Sequence, residues 1–142
     1  MQEIIEFINR HVVLSAIWVM LLISLILNLI KRFFLKVKII NCIEAICLIN
    51  KEDAIVVDIR FHNDYNKGHI TGALNITEPD IKKGILGKLE KNNLKPIIIV
   101  CNTGNNAINS AMQLKSMGFI DVYVLRNGMN AWIDENLPLV RM

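Results

Sequence analysis

Apolar and polar residues follow two different patterns along this chain, and the change falls near residue 31. Over 12–30 the sequence VVLSAIWVMLLISLILNLI has no charged residue, and its polar positions are Ser15, Ser24 and Asn28. A helix of that length would span roughly 28 Å, close to the ~30 Å hydrocarbon core of a bilayer. A buried core helix would keep one polar face, and this run has none. The pattern predicts a transmembrane helix.

Beyond it the apolar residues come in short runs. AIVVD (54–58), GALNI (72–76), PIIIVC (96–101) and DVYVL (121–125) read as buried strands. Asn41 is placed to cap a helix over 41–49, with Ile43, Ile46, Cys47 and Ile49 on its apolar side. Helical spacing recurs at 80–91, at 105–117 before Gly118, and briefly at 129–135. Apolar strands alternating with helices predict an α/β fold. Its mostly parallel central sheet would carry helices on both faces, with one N-terminal transmembrane helix ahead of it. In such sheets chemistry gathers at the carboxyl ends of the strands, where Asp58 and Cys101 fall.

Charge gives the apolar helix a direction. A cleaved signal peptide would put cations before its apolar run and small residues after it. Here Glu3 and Glu6 come first, Arg10 sits at the edge, and Lys31, Arg32, Lys36 and Lys38 follow. The positive-inside rule then places the C-terminal part in the cytoplasm and the N-terminus outside, in an inner-membrane protein. The expected organisation is an extracytoplasmic tail (1–11), the span (12–30), a basic juxtamembrane connector (31–38) and one folded domain (39–142). The net charge is +3. Residues 51–142 hold eleven Lys and Arg against ten Asp and Glu, so the folded part is nearly neutral. It lacks the basic stripe of a nucleic-acid binder, whereas the cations after the span suit lipid head groups.

Three cysteines are present, Cys42, Cys47 and Cys101. Cys42 and Cys47 are badly spaced for zinc and lack Cys or His partners, so no metal site is expected. On the cytoplasmic side a structural disulfide is also disfavoured, which leaves both as apolar filler on a helix face. Cys101 is different. It ends a strand and opens the loop CNTGNN, which leads into a helix. The free N–H groups of a helix start and of a tight turn favour an anion. Gly104 supplies a position free to adopt positive φ. The loop therefore reads as an anion cradle around a nucleophilic thiolate or as the plain end of a buried strand.

The surrounding motifs carry a family resemblance. VVDIRFHNDYNKGHITGALNI (56–76) resembles the signature of rhodanese-like domains: D-x-R, an acidic-aromatic pair, then G-H-I-x-G-A-x-N-I. VYVLRNGMNAW (122–132) is similar to the family's late V-L-x-G-G-x-x-x-W element, with Asn127 in place of the first Gly. The resemblance implies a sulfurtransferase that carries a sulfane sulfur as a cysteine persulfide. Cys101 would be the nucleophile, and Asn102, Thr103, Gly104, Asn105 and Asn106 the persulfide cradle. The partners implied are a sulfane-sulfur donor and a thiol or other nucleophilic acceptor, beside membrane lipid and a possible membrane protein, with no cofactor. Asp58 and Arg60 match D-x-R as supporting residues, with an Arg60–Asp64 ion pair expected and some positive potential from Arg60 near the sulfur. His69 is expected to be a hydrogen-bonded structural residue, and His62 and His11 incidental. Many family members have Arg where this chain has Asn106. Related dual-specificity phosphatases have a loop one residue longer that ends in Arg, so phosphatase activity is not expected. The alternative is a non-catalytic binding module that docks a partner at the membrane. A thiol redox protein would want a C-x-x-C pair, which is missing.

Overall fold

The computed structural model describes residues 1–34 and 36–141. The connector reading at Leu35 and the domain's last residue, Met142, lie outside the described residues. The chain forms two compact units, Met1–Lys36 and Val37–Met142.

The first unit holds two helices, α1 (Gln2–Arg10) and α2 (Val12–Phe34). The tail expected at 1–11 is thus largely helical. Within α2, Val12–Phe33 is long and apolar enough to cross a membrane. The helix outruns the expected 12–30 because Lys31 and Arg32 continue it. Both are good helix formers, and cations suit the negative end of the helix dipole.

The second unit is built on strands β1 (Lys38–Ile40), β2 (Ile55–Asp58), β3 (Leu74–Asn75), β4 (Ile97–Val100) and β5 (Val122–Leu125). They form one sheet in the order β1-β5-β4-β2-β3, and all four pairings are parallel. No strand was expected at 38–40, and Lys38 was placed in the connector. The residues of β1 instead complete the sheet beside β5, with Ile39 opposite Val124.

Helices α3 (Cys42–Glu52), α4 (His62–Lys67), α5 (Glu78–Lys83) and α6 (Asn105–Ser116) connect the strands, together with a 3-10 helix at Gly87–Asn92, and α7 (Gly128–Asp134) follows β5. Asn41 caps α3 as expected, in a reciprocal capping box with Glu44. Successive strand residues face opposite ways, so each strand feeds two cores. Val57, Ile97, Ile99, Val122 and Val124 pack with Ile81, Leu89, Ala107 and Leu114 of α5, the 3-10 helix and α6. Val56, Ile98, Val100 and Leu125 pack with Cys42, Ala45, Met129 and Trp132 of α3 and α7. The expected sheet with helices on both faces is present.

Two local expectations need correction. The helix expected over 80–91 is two pieces, because Gly84 takes the left-handed conformation (φ 76°) and ends α5. On α3 the buried side is Cys42 and Ala45, with Ile46 and Ile49 partly buried beside them, while Ile43 and Cys47 are exposed. Cys47 is therefore not packing filler. Cys42 is, and burial together with the nearby Glu135 carboxylate pushes its thiol above the ordinary range.

Candidate functional site

Cys101 follows β4 directly, at the carboxyl edge of the sheet beside Asp58, which ends β2. Its side chain is nearly buried, and the backbone N–H of Gly104 donates to its sulfur at 2.8 Å. Gly104 reaches that position with φ 90°, the left-handed turn for which a glycine was expected. Residue Asn105 then begins α6. The loop has curled its chain around the sulfur and aimed an N–H at it.

The loop is held from behind by α7. The carbonyl of Cys101 accepts from the N–H of Met129 at 2.7 Å, and that of Asn102 from Asn130 at 3.2 Å. A Cβ on Gly128 would lie 1.8 Å from the Cys101 carbonyl oxygen. Only glycine lets the two backbones approach this closely. Asn127, just before it, is left-handed at φ 57°, a conformation that Asn tolerates better than most residues. The late G-x-x-x-W element thus seats the cysteine loop, and its Trp132 fills the core below.

Across from the loop lies the D-x-R element. Asp58 is fully buried, and Arg60 grips both its oxygens, Nε to Oδ1 at 2.9 Å and Nη2 to Oδ2 at 2.6 Å. The backbone N–H of Arg60 adds a bond to Oδ1, and Nη2 also donates to the Gly68 carbonyl at 2.7 Å. The expected Arg60–Asp64 pair is not formed. Arg60 precedes α4 rather than lying on it, so the helical spacing to Asp64 does not apply, and Asp64 pairs with Lys67 instead. Asn75 ties the same loop down through the carbonyls of Asp58 and Arg60. His69 donates from Nδ1 to the Tyr65 carbonyl and stacks on the Tyr65 ring at 3.8 Å, matching the structural role expected of it. Burial and the negative Asp58 push the Tyr65 phenol above its ordinary range. His62, expected to be incidental, lies near Asn75 Oδ1 at 3.3 Å.

Between the two loops opens a cavity of about 310 Å³ with Cys101 in its wall. Asn102, Thr103, Asn106 and Arg60 line it too. Gly104 contributes its N–H, while Asn105 faces a separate hollow beside Arg126 and Asn127. Asp58 acts at one remove, through Arg60. The remaining wall is Ile59, Phe61, Asp64, Thr77, Glu78, Pro79 and Lys82, which sequence reasoning did not assign to the site. Thr77 and Glu78 follow β3, at the same carboxyl edge of the sheet as Asp58 and Cys101. The cations of the wall are matched by carboxylates, Arg60 by Asp58 and Lys82 by Glu78 at 3.2 Å. Among the described residues no cluster of His, Cys, Asp or Glu could hold a metal ion.

A buried thiol that takes a backbone N–H from its own loop, on an all-parallel sheet with the D-x-R and G-H-I elements opposite, defines a rhodanese-like domain. The family model for the Rhodanese-like domain matches residues 44–135, and the chain belongs to that family. It is 45% identical over 141 residues to the uncharacterised protein YibN of Escherichia coli strain K12, covering 99% of each chain. It is also 37% identical over 93 residues to the thiosulfate sulfurtransferase GlpE of Pseudoalteromonas translucida, covering 66% of this chain and 86% of that protein. The crystal structure of a rhodanese-related protein from Thermoplasma volcanium shares the fold. Its TM-score is 0.60 at 23% identity, covering 72% of this chain and 97% of that one.

Proposed function

We propose that this protein is a membrane-anchored sulfurtransferase or persulfide carrier working through Cys101. The observation that carries the reading is the Gly104 N–H donating to the Cys101 sulfur at 2.8 Å beside an open cavity. The thiolate attacks the outer, sulfane sulfur of a donor. A Cys101 S–S bond forms as the donor's own bond to that sulfur breaks, and the donor leaves with the electron pair. An acceptor nucleophile then takes the outer sulfur and returns Cys101 as thiolate. One difficult transfer becomes two easier ones. The Gly104 N–H holds negative charge at the sulfur through both steps.

The cavity favours a donor of low charge. Asn106 brings no cation, and Arg60 and Lys82 are engaged with carboxylates. A free cation beside a dianion such as thiosulfate would add about 1–3 kcal/mol. Asn106→Arg should therefore raise kcat/KM for thiosulfate by roughly tenfold to a hundredfold, and salt should shrink the gain. A small organic persulfide should change much less. Sulfur transfer to an acceptor thiol, followed for the full-length protein and for Cys101→Ser, tests the reading. Turnover that survives in Cys101→Ser would remove it.

The anchor is α2, with the N-terminus outside and the Rhodanese-like domain in the cytoplasm. The four cations Lys31, Arg32, Lys36 and Lys38 support that direction. Protease added to the outer face of intact cells should leave the domain whole, and its digestion would reverse the orientation.

A further inference from the structure

Helix α1 presents an apolar face that its own unit leaves uncovered. Ile4, Ile5, Phe7 and Ile8 fall on one side of its wheel, and Gln2, Glu3, Glu6, Asn9 and Arg10 on the other. The four apolar side chains are 64%, 57%, 61% and 46% exposed. A helix of nine residues is too short to be stable alone in water, so this face needs a partner.

Two features say what that partner is. Val12–Phe33 of α2 spans roughly 33 Å at 1.5 Å per residue, which already fills a ~30 Å hydrocarbon core. No core thickness remains for α1, and Glu3, Glu6 and Arg10 would be costly there. One residue separates the helices. His11, at φ −129° and ψ 51°, is not helical, so α1 is not a straight continuation of the span. That single joint keeps α1 within reach of the bilayer surface. We infer that α1 is an interfacial helix, with Ile4, Ile5, Phe7 and Ile8 sunk among the lipid head groups and acyl-chain ends and its charged side in water.

The inference rests on the reading of α2 as a membrane span. With two glutamates on the polar face, attachment works through apolar area rather than through attraction to anionic lipid. It should therefore persist in neutral phosphatidylcholine vesicles and at high salt.

The test is an environment-sensitive fluorescent amino acid placed at one site at a time in the full-length protein. The protein is reconstituted in phosphatidylcholine vesicles with lipids brominated at shallow or deep chain positions. Probes at Ile5 and Ile8 should be quenched several-fold more than probes at Gln2, Glu6 and Asn9, and more by shallow bromines than by deep ones. A probe at Leu22, mid-span, should respond best to deep bromines. Equal quenching on both sides of α1, or none on α1 while Leu22 is quenched, would overturn the inference and leave the span intact. A Leu22 probe that no bromine reaches would remove the span and the interfacial helix together.

Discussion

Strands β2 and β4 lie side by side and end level with each other, yet their ends are built to opposite purposes. At the end of β2, Asp58 is fully buried and both its oxygens are taken by Arg60. Arg60 is in turn taken up by Asp58 and the Gly68 carbonyl. The circuit is closed, and it fixes one wall of the cavity. At the end of β4, Cys101 receives an N–H from Gly104, packs against the core on one side and borders the cavity on the other. A satisfied charge pair holds shape, whereas the nucleophile proposed at Cys101 needs one side left free. The difference lies in what each side chain has left to offer, since Asp58 ends β2 and Cys101 directly follows β4 at the same edge of the sheet.

The largest expected effect comes from opening the closed end. Asp58→Ala would strand the nearly buried Arg60 guanidinium, at a cost of about 3–5 kcal/mol in stability. Chemical denaturation reads it. A loss below about 1 kcal/mol would mean that Arg60 finds water or another acceptor, and that the circuit is not what fixes the wall.

Next comes the support beneath the open end. Gly128→Ala combines a left-handed φ of 54° with a Cβ driven into the Cys101 carbonyl. The strain alone should cost about 1–3 kcal/mol, and relief of the clash must move the cysteine loop. Denaturation together with alkylation of Cys101 separates the two effects. An unchanged alkylation rate would show that the loop geometry does not depend on α7.

A smaller effect sharpens the contrast between buried thiols. Cys42 is also buried, and that burial, with the Glu135 carboxylate it faces, pushes its thiol above the ordinary value of 9.0. The unfolded chain then loses this proton at lower pH than the folded one, so stability falls as pH rises above about 9. Below that pH the contribution is constant. Tyr65 and Tyr123 are raised from 10.0 and add the same sign at higher pH. Melting temperatures across alkaline pH should drop, with a shallower first decline in Cys42→Ala. An identical decline in that variant would assign the effect elsewhere.

The smallest effect is at Asn127. Replacing it with glycine trades a modest left-handed strain for unfolded-state entropy, and stability should move by less than about 1 kcal/mol. A larger gain would mean that Asn127 strains the seat of the cysteine loop.

Where sequence and structure part, the reasons are local. Strands β2, β4 and β5 were legible to within a residue or so because their β-branched runs are buried on both faces. Strand β1 was hidden by its length and by Lys38, since three residues next to a cationic connector show no period. Helix α4 is six residues long and has no buried residue, so it leaves no apolar stripe to detect. The break at Gly84 was masked because Ile81, Leu86 and Leu89 keep feeding the same core across it. In the site, Cys101 and Gly104 could be placed because strand end, thiol and glycine occur together in the chain. The wall formed by Phe61, Thr77 and Lys82 could not, because only the parallel pairing of β3, β2 and β4 brings those loops together.

The central claim is that the open strand end carries sulfur, and intact mass tests it most directly. The full-length protein, incubated with a sulfane donor and freed of excess reagent, should gain one sulfur atom. Fragment masses should place it on Cys101. Cys101→Ser should gain none, while Cys42→Ser and Cys47→Ser should gain it as the parent does. Sulfur on Cys42 or Cys47 instead, or no gain from thiosulfate and an organic persulfide alike, would contradict the account.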